Sequence, residues 1–481
     1  MPEIIGRKQE MKELQRCFNS AEAEFVVVYG RRRVGKTYLI REFFHQKFCF
    51  QLTGMYNQPK KVQLSNFAVT LERHSGEHRS LPSDWMEAFN QLRDYIESLP
   101  QEGKKVIFID EMPWLDTRQS NFVGALEWFW NGWGAGRNDL MLIACGSATS
   151  WITDKLFADK GGLFNRTTSR IYLHPFTLHE TELYLQSKGI QCSRYDIAEC
   201  YMVMGGIPYY LRNLSPQLSY TANIDGLFFK KKGRLWDEFT HLYQTLFSNS
   251  DVYIQVVEAL AAKQSGMTRN EIMAATGFSD NGNLTKVLKN LADSDFVRVY
   301  NTFGKKKNDL IYQLADYYTL FYFRFLKDQY GKDEHFWTHT LDNPKRRTWA
   351  GYAFEQICKD HIRQIKKSIG ISAVLNEQAS WRSKESESGA QIDLLIARRD
   401  RVINICEIKF SLSPYTIDKD YDIRLRNKLE VFRQETGTRD ALHLTFITTY
   451  GVKQNMYSGL VQSEVVMDDL FAEKLSFPEK R

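Results

Sequence analysis

Residues 23–44 read AEFVVVYGRRRVGKTYLIREFF. Phe25 to Tyr29 form a short apolar run rich in β-branched side chains, the mark of a buried parallel strand. Gly30 to Thr37 fit the spacing GxxxxGK[ST], and helical spacing begins at Tyr38. Strand, glycine loop and helix in that order are what a phosphate-binding loop needs. Glycines let backbone N–H groups curl around phosphate oxygens, and the helix turns its positive end to the same anion. The expected nucleotide cradle is Gly30, Arg31, Arg32, Arg33, Val34, Gly35, Lys36, Thr37 and Tyr38. Lys36 reaches the outer phosphates in this reading, and Thr37 holds Mg²⁺. Three arginines inside the loop are unusual, and phosphate, DNA or a neighbouring subunit are all open as their targets.

Working outward, KKVIFIDEMPWL (104–115) carries four apolar residues into Asp110-Glu111. An aspartate at the tip of a parallel strand is placed to serve the metal beside Thr37, and Glu111 to orient or deprotonate the attacking water. A helix N-cap is the competing role for Asp110. LMLIACGSATSW (140–151) reads as a third core strand ending in Ser147, either a sensor of the outer phosphate or a capping serine. Arg166 and Arg170 are candidates for an arginine finger, against an ordinary surface role.

IIGRKQEMKEL (4–14), YGRRRVGKT (29–37), FIDE (108–111), GSATSW (146–151), the arginine after the third strand, and MGGIPYYL (204–211) together resemble the archaeal-type P-loop ATPases, relatives of the AAA and STAND ATPases. The resemblance covers about residues 1–250. It implies a parallel α/β sheet, binding of ATP or GTP with Mg²⁺, and a helical lid in which Pro208 closes a turn that reports nucleotide state.

Further on the rhythm changes. Residues 179–250 show a period near 3.6 and read as helices. Residues 251–335 read as three helices followed by a strand hairpin, FVRVYNTF and LIYQLAD around GKKKND, the pattern of a winged helix-turn-helix. Between 265 and 310 there are seven Lys/Arg against five Asp/Glu. Lys286, Lys289 and the turn lysines Lys305, Lys306 and Lys307 can meet phosphates, but the same fold also binds proteins.

The last segment, 345–481, opens with the helix RRTWAGYAFEQICKDHI (346–362), with Phe354, Ile357, Cys358 and Ile362 along one side and Glu355 beside them. QIDLLIARR and VINICEIKF follow as a hairpin around RDR. Side chains two apart on a strand share a face, so Glu407 and Lys409 point together and Asp393 joins them from the next strand. Two carboxylates make a hard oxygen site for Mg²⁺, and a neighbouring lysine can position water against a phosphodiester. A cross-strand salt bridge is the plainer reading. Asp393, thirteen residues, then Glu407-x-Lys409, preceded by helical Glu355, resembles the PD-(D/E)xK nucleases, without the proline usual before the aspartate. That resemblance implies a restriction-endonuclease-like α/β domain with catalytic Glu355, Asp393, Glu407 and Lys409, the metal on Asp393 and Glu407, and Lys428 within reach.

At 481 residues, 43% hydrophobic and 25% charged, the chain is expected to form several globular domains: 1–178, 179–250, 251–335 and 345–481. A net charge of +6 permits nucleic-acid contact without arguing for it. Seven scattered cysteines without a CxxC pair suggest reduced thiols in a cytoplasm rather than disulfides or zinc. The charged N-terminus argues against a signal peptide, and no run is suited to a membrane. ATP and Mg²⁺ are the expected ligands, with DNA and a second copy of the chain as open partners.

Overall fold

Glu24–Tyr29 forms β1, apolar from Phe25 to Val28 and buried there on both faces, as a central parallel strand must be. The computed structural model describes residues 4–100, 102–158, 162–247, 249–304, 310–329, 331–383 and 390–473. Around β1 lie β2 (Phe50–Thr53), β3 (Lys105–Asp110), β4 (Leu140–Gly146) and β5 (Ser169–Tyr172), all parallel, in the order β2-β3-β4-β1-β5. The strands expected at 25–29, 105–110 and 140–146 are present. β2 and β5, four residues each, were not expected. Helices Lys60–Ser75, Trp85–Ser98 and Phe122–Gly132 cover one face with aromatic side chains; Trp85 meets Phe122 at 5.0 Å between ring centroids, and Phe89 stacks on Phe129 at 5.0 Å.

The chain divides into two compact units, Met1–Pro175 and Phe176–Arg481. In the second, Leu178–Ser187 and Arg194–Met204 each begin with a capping box, Thr177 with Glu180 and Ser193 with Asp196. Gly206 follows with φ +65°, where a Cβ would lie 2.2 Å from the Phe176 carbonyl oxygen, so only glycine fits. Pro208 is the first residue of the next helix, Pro208–Leu211.

Helices Ser250–Ala262, Arg269–Thr276 and Gly282–Asp293 accompany a small antiparallel sheet of β6 (Met267–Thr268), β7 (Val297–Asn301) and β8 (Leu310–Leu314), ordered β6-β8-β7. Thr268 caps its helix in a capping box with Glu271, and Gly277, in the left-handed conformation, ends it. Lys305, Lys306 and Lys307 lie outside the described residues. Beyond the hairpin strand β7, Thr302 forms a bridge with Ser380, and the Phe303 N–H donates to the Ser380 carbonyl at 2.9 Å.

The expected helix over 346–362 does not run through. Pro344–Asp360 ends at His361, and Ile362–Ser368 starts anew. His361 is buried with its Nδ1 2.9 Å from the Ile357 carbonyl, and its Nε2 accepts the Leu178 N–H at 2.9 Å. The backbone leaves the helical region at His361, with φ −103° and ψ 26°, and Ile362 begins the new helix. The final sheet comprises β9 (Asn376–Arg382), β10 (Gln391–Arg398), β11 (Val402–Lys409), β12 (Ala441–Thr448) and β13 (Ser463–Val466), in the order β13-β12-β11-β10-β9. β9, β10 and β11 run antiparallel; β11, β12 and β13 run parallel, with the helix Lys419–Thr436 crossing between β11 and β12.

Candidate functional sites

In the first unit, three strand ends converge. The loop after β1 turns at Gly30, with φ +133°, where a Cβ would lie 2.6 Å from the Leu173 carbonyl oxygen. Lys36 is buried and donates to the carbonyls of Gly30 and Arg31 at 2.9 and 2.8 Å. Burial pushes its ammonium pKa down. Thr37 Oγ1 stands 3.1 and 3.0 Å from the two carboxylate oxygens of Asp110 at the tip of β3. Asp110 also accepts the Glu111 N–H at 3.1 Å, so its carboxylate serves both the loop and the turn after its own strand.

Glu111 sits in a left-handed conformation, φ 44°. Its carboxylate accepts from the Ser147 hydroxyl at 3.1 Å and the Ser147 N–H at 3.3 Å. Because β4 lies between β1 and β3, Ser147 at its end separates the loop strand from the Glu111 strand. Burial pushes the Glu111 carboxyl upward, with Lys36 acting against it. Arg31 is buried, while Arg32 and Arg33 are half-buried, and Arg33 adopts φ 74°. Val34 is buried, Gly35 takes φ +92°, and Tyr38 is 47% exposed. Arg166 lies on an exposed turn, and no contact joins its side chain to the loop among the described residues. Arg170 instead rests over the Phe157 ring at 4.2 Å.

Arg7, from the opening IIGR, was not read as a site residue. It is buried and donates to the Val34 carbonyl at 3.1 Å and to the His174 carbonyl at 2.7 Å, bracing the loop from behind. Among the charged residues of this segment, Glu3, Lys8 and Glu10, nothing local set Arg7 apart.

The second candidate site lies on β10 and β11. Leu394 pairs with Cys406, so one step further in the same register sets Asp393 opposite Glu407. Glu407 is buried. Lys409 stands 2.9 Å from its Oε1, Lys428 2.7 Å from its Oε2, and the Tyr421 hydroxyl also donates to Oε1. Burial by itself raises the Glu407 carboxyl, but the two ammonium groups and the phenol outweigh it and hold it at about 2. Asp393 Oδ1 accepts from Gln391 at 2.5 Å.

Glu355, half-buried on the Pro344–Asp360 helix, has its carboxyl pushed well up by burial and then by Asp393. Lys359, one turn on, has its ammonium pKa pushed down by burial and then by Arg298, and donates to Gln313 of β8 at 3.2 Å. Glu355, Asp393, Glu407 and Lys409 are thus brought into one electrostatic neighbourhood. Among the described residues, no group of three or more His, Cys, Asp or Glu is arranged to hold a metal. The oxygen donors are of the right kind for a hard cation, but Glu407 already has two ammonium partners. Lys359 and Tyr421 were not expected. Tyr421, Leu425, Lys428 and Phe432 repeat at helical spacing on one face of Lys419–Thr436, with Leu425 and Phe432 in the core.

Residues 4–214 match the family model described as an ATPase domain predominantly from Archaea. An archaeal-type ATPase domain therefore covers that stretch. An uncharacterized protein of Methanocaldococcus jannaschii is 24% identical over 435 residues, 89% of this chain and 92% of the relative. An uncharacterized ATP-binding protein of the same organism is 46% identical over 44 residues, 9% of this chain and 75% of that protein. Among solved structures, a Walker-type ATPase of Pyrococcus abyssi superposes with a TM-score of 0.48 at 18% identity, over 67% of this chain and 96% of its own. The ORC2 protein of Aeropyrum pernix, solved as ADPNP-ADP complexes, gives 0.40 at 12% identity, over 75% and 96%. No helix among the described residues is long and apolar enough to cross a membrane.

Proposed function

We propose that the chain binds ATP with Mg²⁺ in the Gly30–Tyr38 loop and hydrolyses it, and that its second unit handles DNA. The observation that carries the first part is the convergence of Lys36, the Thr37–Asp110 pair and the Ser147–Glu111 pair at the ends of β1, β3 and β4. Lys36 has the Gly30 and Arg31 carbonyls as acceptors and exchanges them for phosphate oxygens. The Thr37 hydroxyl and the Asp110 carboxylate supply hard oxygens and would hold Mg²⁺, which when bound neutralises charge building on the phosphates. Glu111, in a buried setting that favours proton uptake, takes a proton from water once it turns from Ser147. The M. jannaschii relative named as ATP-binding supports ATP as the nucleotide.

In this reading the three helices and the β6-β8-β7 sheet are a winged helix on DNA. Asn283, Thr285, Lys286 and Lys289 stand exposed along its third helix, within reach of phosphates and base edges. The β9–β13 domain is nuclease-like, with Asp393 and Glu407 as the metal's carboxylates and Lys409 beside them. A second reading makes that domain an inactive binding module driven by nucleotide state; the neutralisation of Glu407 by Lys409 and Lys428 favours it.

Titration with a fluorescent ATP analogue tests the assignment. Lys36→Ala should weaken binding by at least about tenfold through loss of a phosphate-facing cation. Glu111→Gln should bind like the parent and hydrolyse about a hundredfold more slowly, because only the water-activating group changes. Parent-like ATP binding by Lys36→Ala would remove this site.

A further inference from the structure

The Glu407 carboxylate has two oxygens and three donors. Lys409 comes from its own strand, while Tyr421 and Lys428 come from the helix Lys419–Thr436. Tyr421 and Lys428 are seven residues apart, two helical turns, and the buried Leu425 between them fixes that face against the sheet. The helix therefore brings a hydroxyl to Oε1, beside Lys409, and a cation to Oε2. A carboxylate offers about four lone-pair directions, so three donors leave little for a further ligand. Together the Lys428 ammonium 2.7 Å from Oε2 and the Lys409 ammonium 2.9 Å from Oε1 already supply the two positive charges a divalent ion would bring.

We infer that Lys428 and Tyr421 are positioning residues that hold Glu407 closed, and that a divalent metal reaches Asp393 and Glu407 only by displacing the Lys428 ammonium. Metal occupancy is then linked to the Lys419–Thr436 helix. While Lys428 stays on Glu407 the site is neutral and holds no ion. When the lysine is drawn off, the two carboxylates face each other across β10 and β11 and become a cation site. Displaced Lys428 keeps its charge and is left near the sheet as an anion contact. This rests on the metal reading of Asp393 and Glu407 proposed above.

Mn²⁺ titration of the full chain, followed by the loss of the free-ion electron paramagnetic signal, reads the inference directly. An Asp110→Ala background silences the loop of the first unit, and circular dichroism checks folding. Lys428→Met should bind Mn²⁺ about tenfold more tightly than the background, because a competing charge at hydrogen-bond distance is gone. Lys428→Arg should restore background affinity. Tyr421→Phe, which changes no charge, should tighten binding about two- to threefold by removing one donor; it also serves if Lys428→Met folds poorly. Asp393→Ala tests the underlying reading. If Asp393→Ala loses Mn²⁺ while Lys428→Met and Tyr421→Phe match the background, the closure is wrong and the metal site stands. If Asp393→Ala binds as the background does, or no form binds Mn²⁺, the metal site is wrong and the closure falls with it.

Discussion

A buried carboxylate is costly unless it is paired, and Glu407 shows how thoroughly pairing can reverse the cost. Burial raises its affinity for a proton, yet Lys428 and Lys409 hold it at about 2 against an ordinary 4.5. A carboxyl lowered on folding stabilises the fold above its unfolded value, and that stability disappears as pH falls toward the folded value. The parent chain should therefore lose stability between pH 4.5 and about 2 more steeply than Glu407→Gln, measured as urea midpoints across that range. Parallel curves would mean the ion pairs contribute nothing to folding. At this scale much of the site was legible. Alternation along CEIKF was enough to put Glu407 and Lys409 together, and the loop spacing was enough to place Lys36 and Thr37. Arg7, Tyr421 and Lys359 were not, since each reaches its partner through tertiary folding that no local period records.

Among the elements, those with strong local chemistry matched their reading. Thr268, with Glu271 three residues later and Gly277 at the far end, marks both ends of its helix in sequence. Thr268→Ala removes the hydroxyl that accepts the Glu271 N–H and should cost about 1 kcal/mol in a urea melt, while Thr268→Ser should cost little. Equal losses from both variants would deny the cap its role. Elements without such signals escaped. β2 and β5 are four residues each, too short for alternation to show, and exist because longer neighbours offer them parallel partners. The continuous helix expected through Ile362 is interrupted at His361, whose φ −103° and ψ 26° leave the helical region, a backbone change that a pattern of apolar positions does not reveal.

For the whole molecule, the expected boundary at 345 has packed partners on both sides of it. Arg346 is buried against the Trp337 ring at 3.9 Å and pairs with Glu199 at 3.1 Å, and His361 holds Leu178. A fragment of residues 345–481 should thus be markedly less stable than one of 176–481, by roughly several kcal/mol, because it strips Phe321, Phe325 and Trp337 from the buried Trp349 and leaves apolar surface in water. Comparing their urea transitions checks this; equal midpoints would restore the independent domain. The archaeal-type ATPase match, ending at 214, likewise passes the division at Pro175 and Phe176, so sequence relatedness and compactness divide this chain at different points. The bridge from Thr302 to Ser380 has a mechanical meaning. β9 is the outermost strand of its sheet, and the Phe303 N–H is bonded to it while the Phe303 ring packs 5.4 Å from that of Phe432. The β7–β8 hairpin is therefore stitched to its neighbour and cannot swing as a free flap. Load just past β7, at Thr302 and Phe303, passes directly to β9, the strand beside the one that carries Asp393.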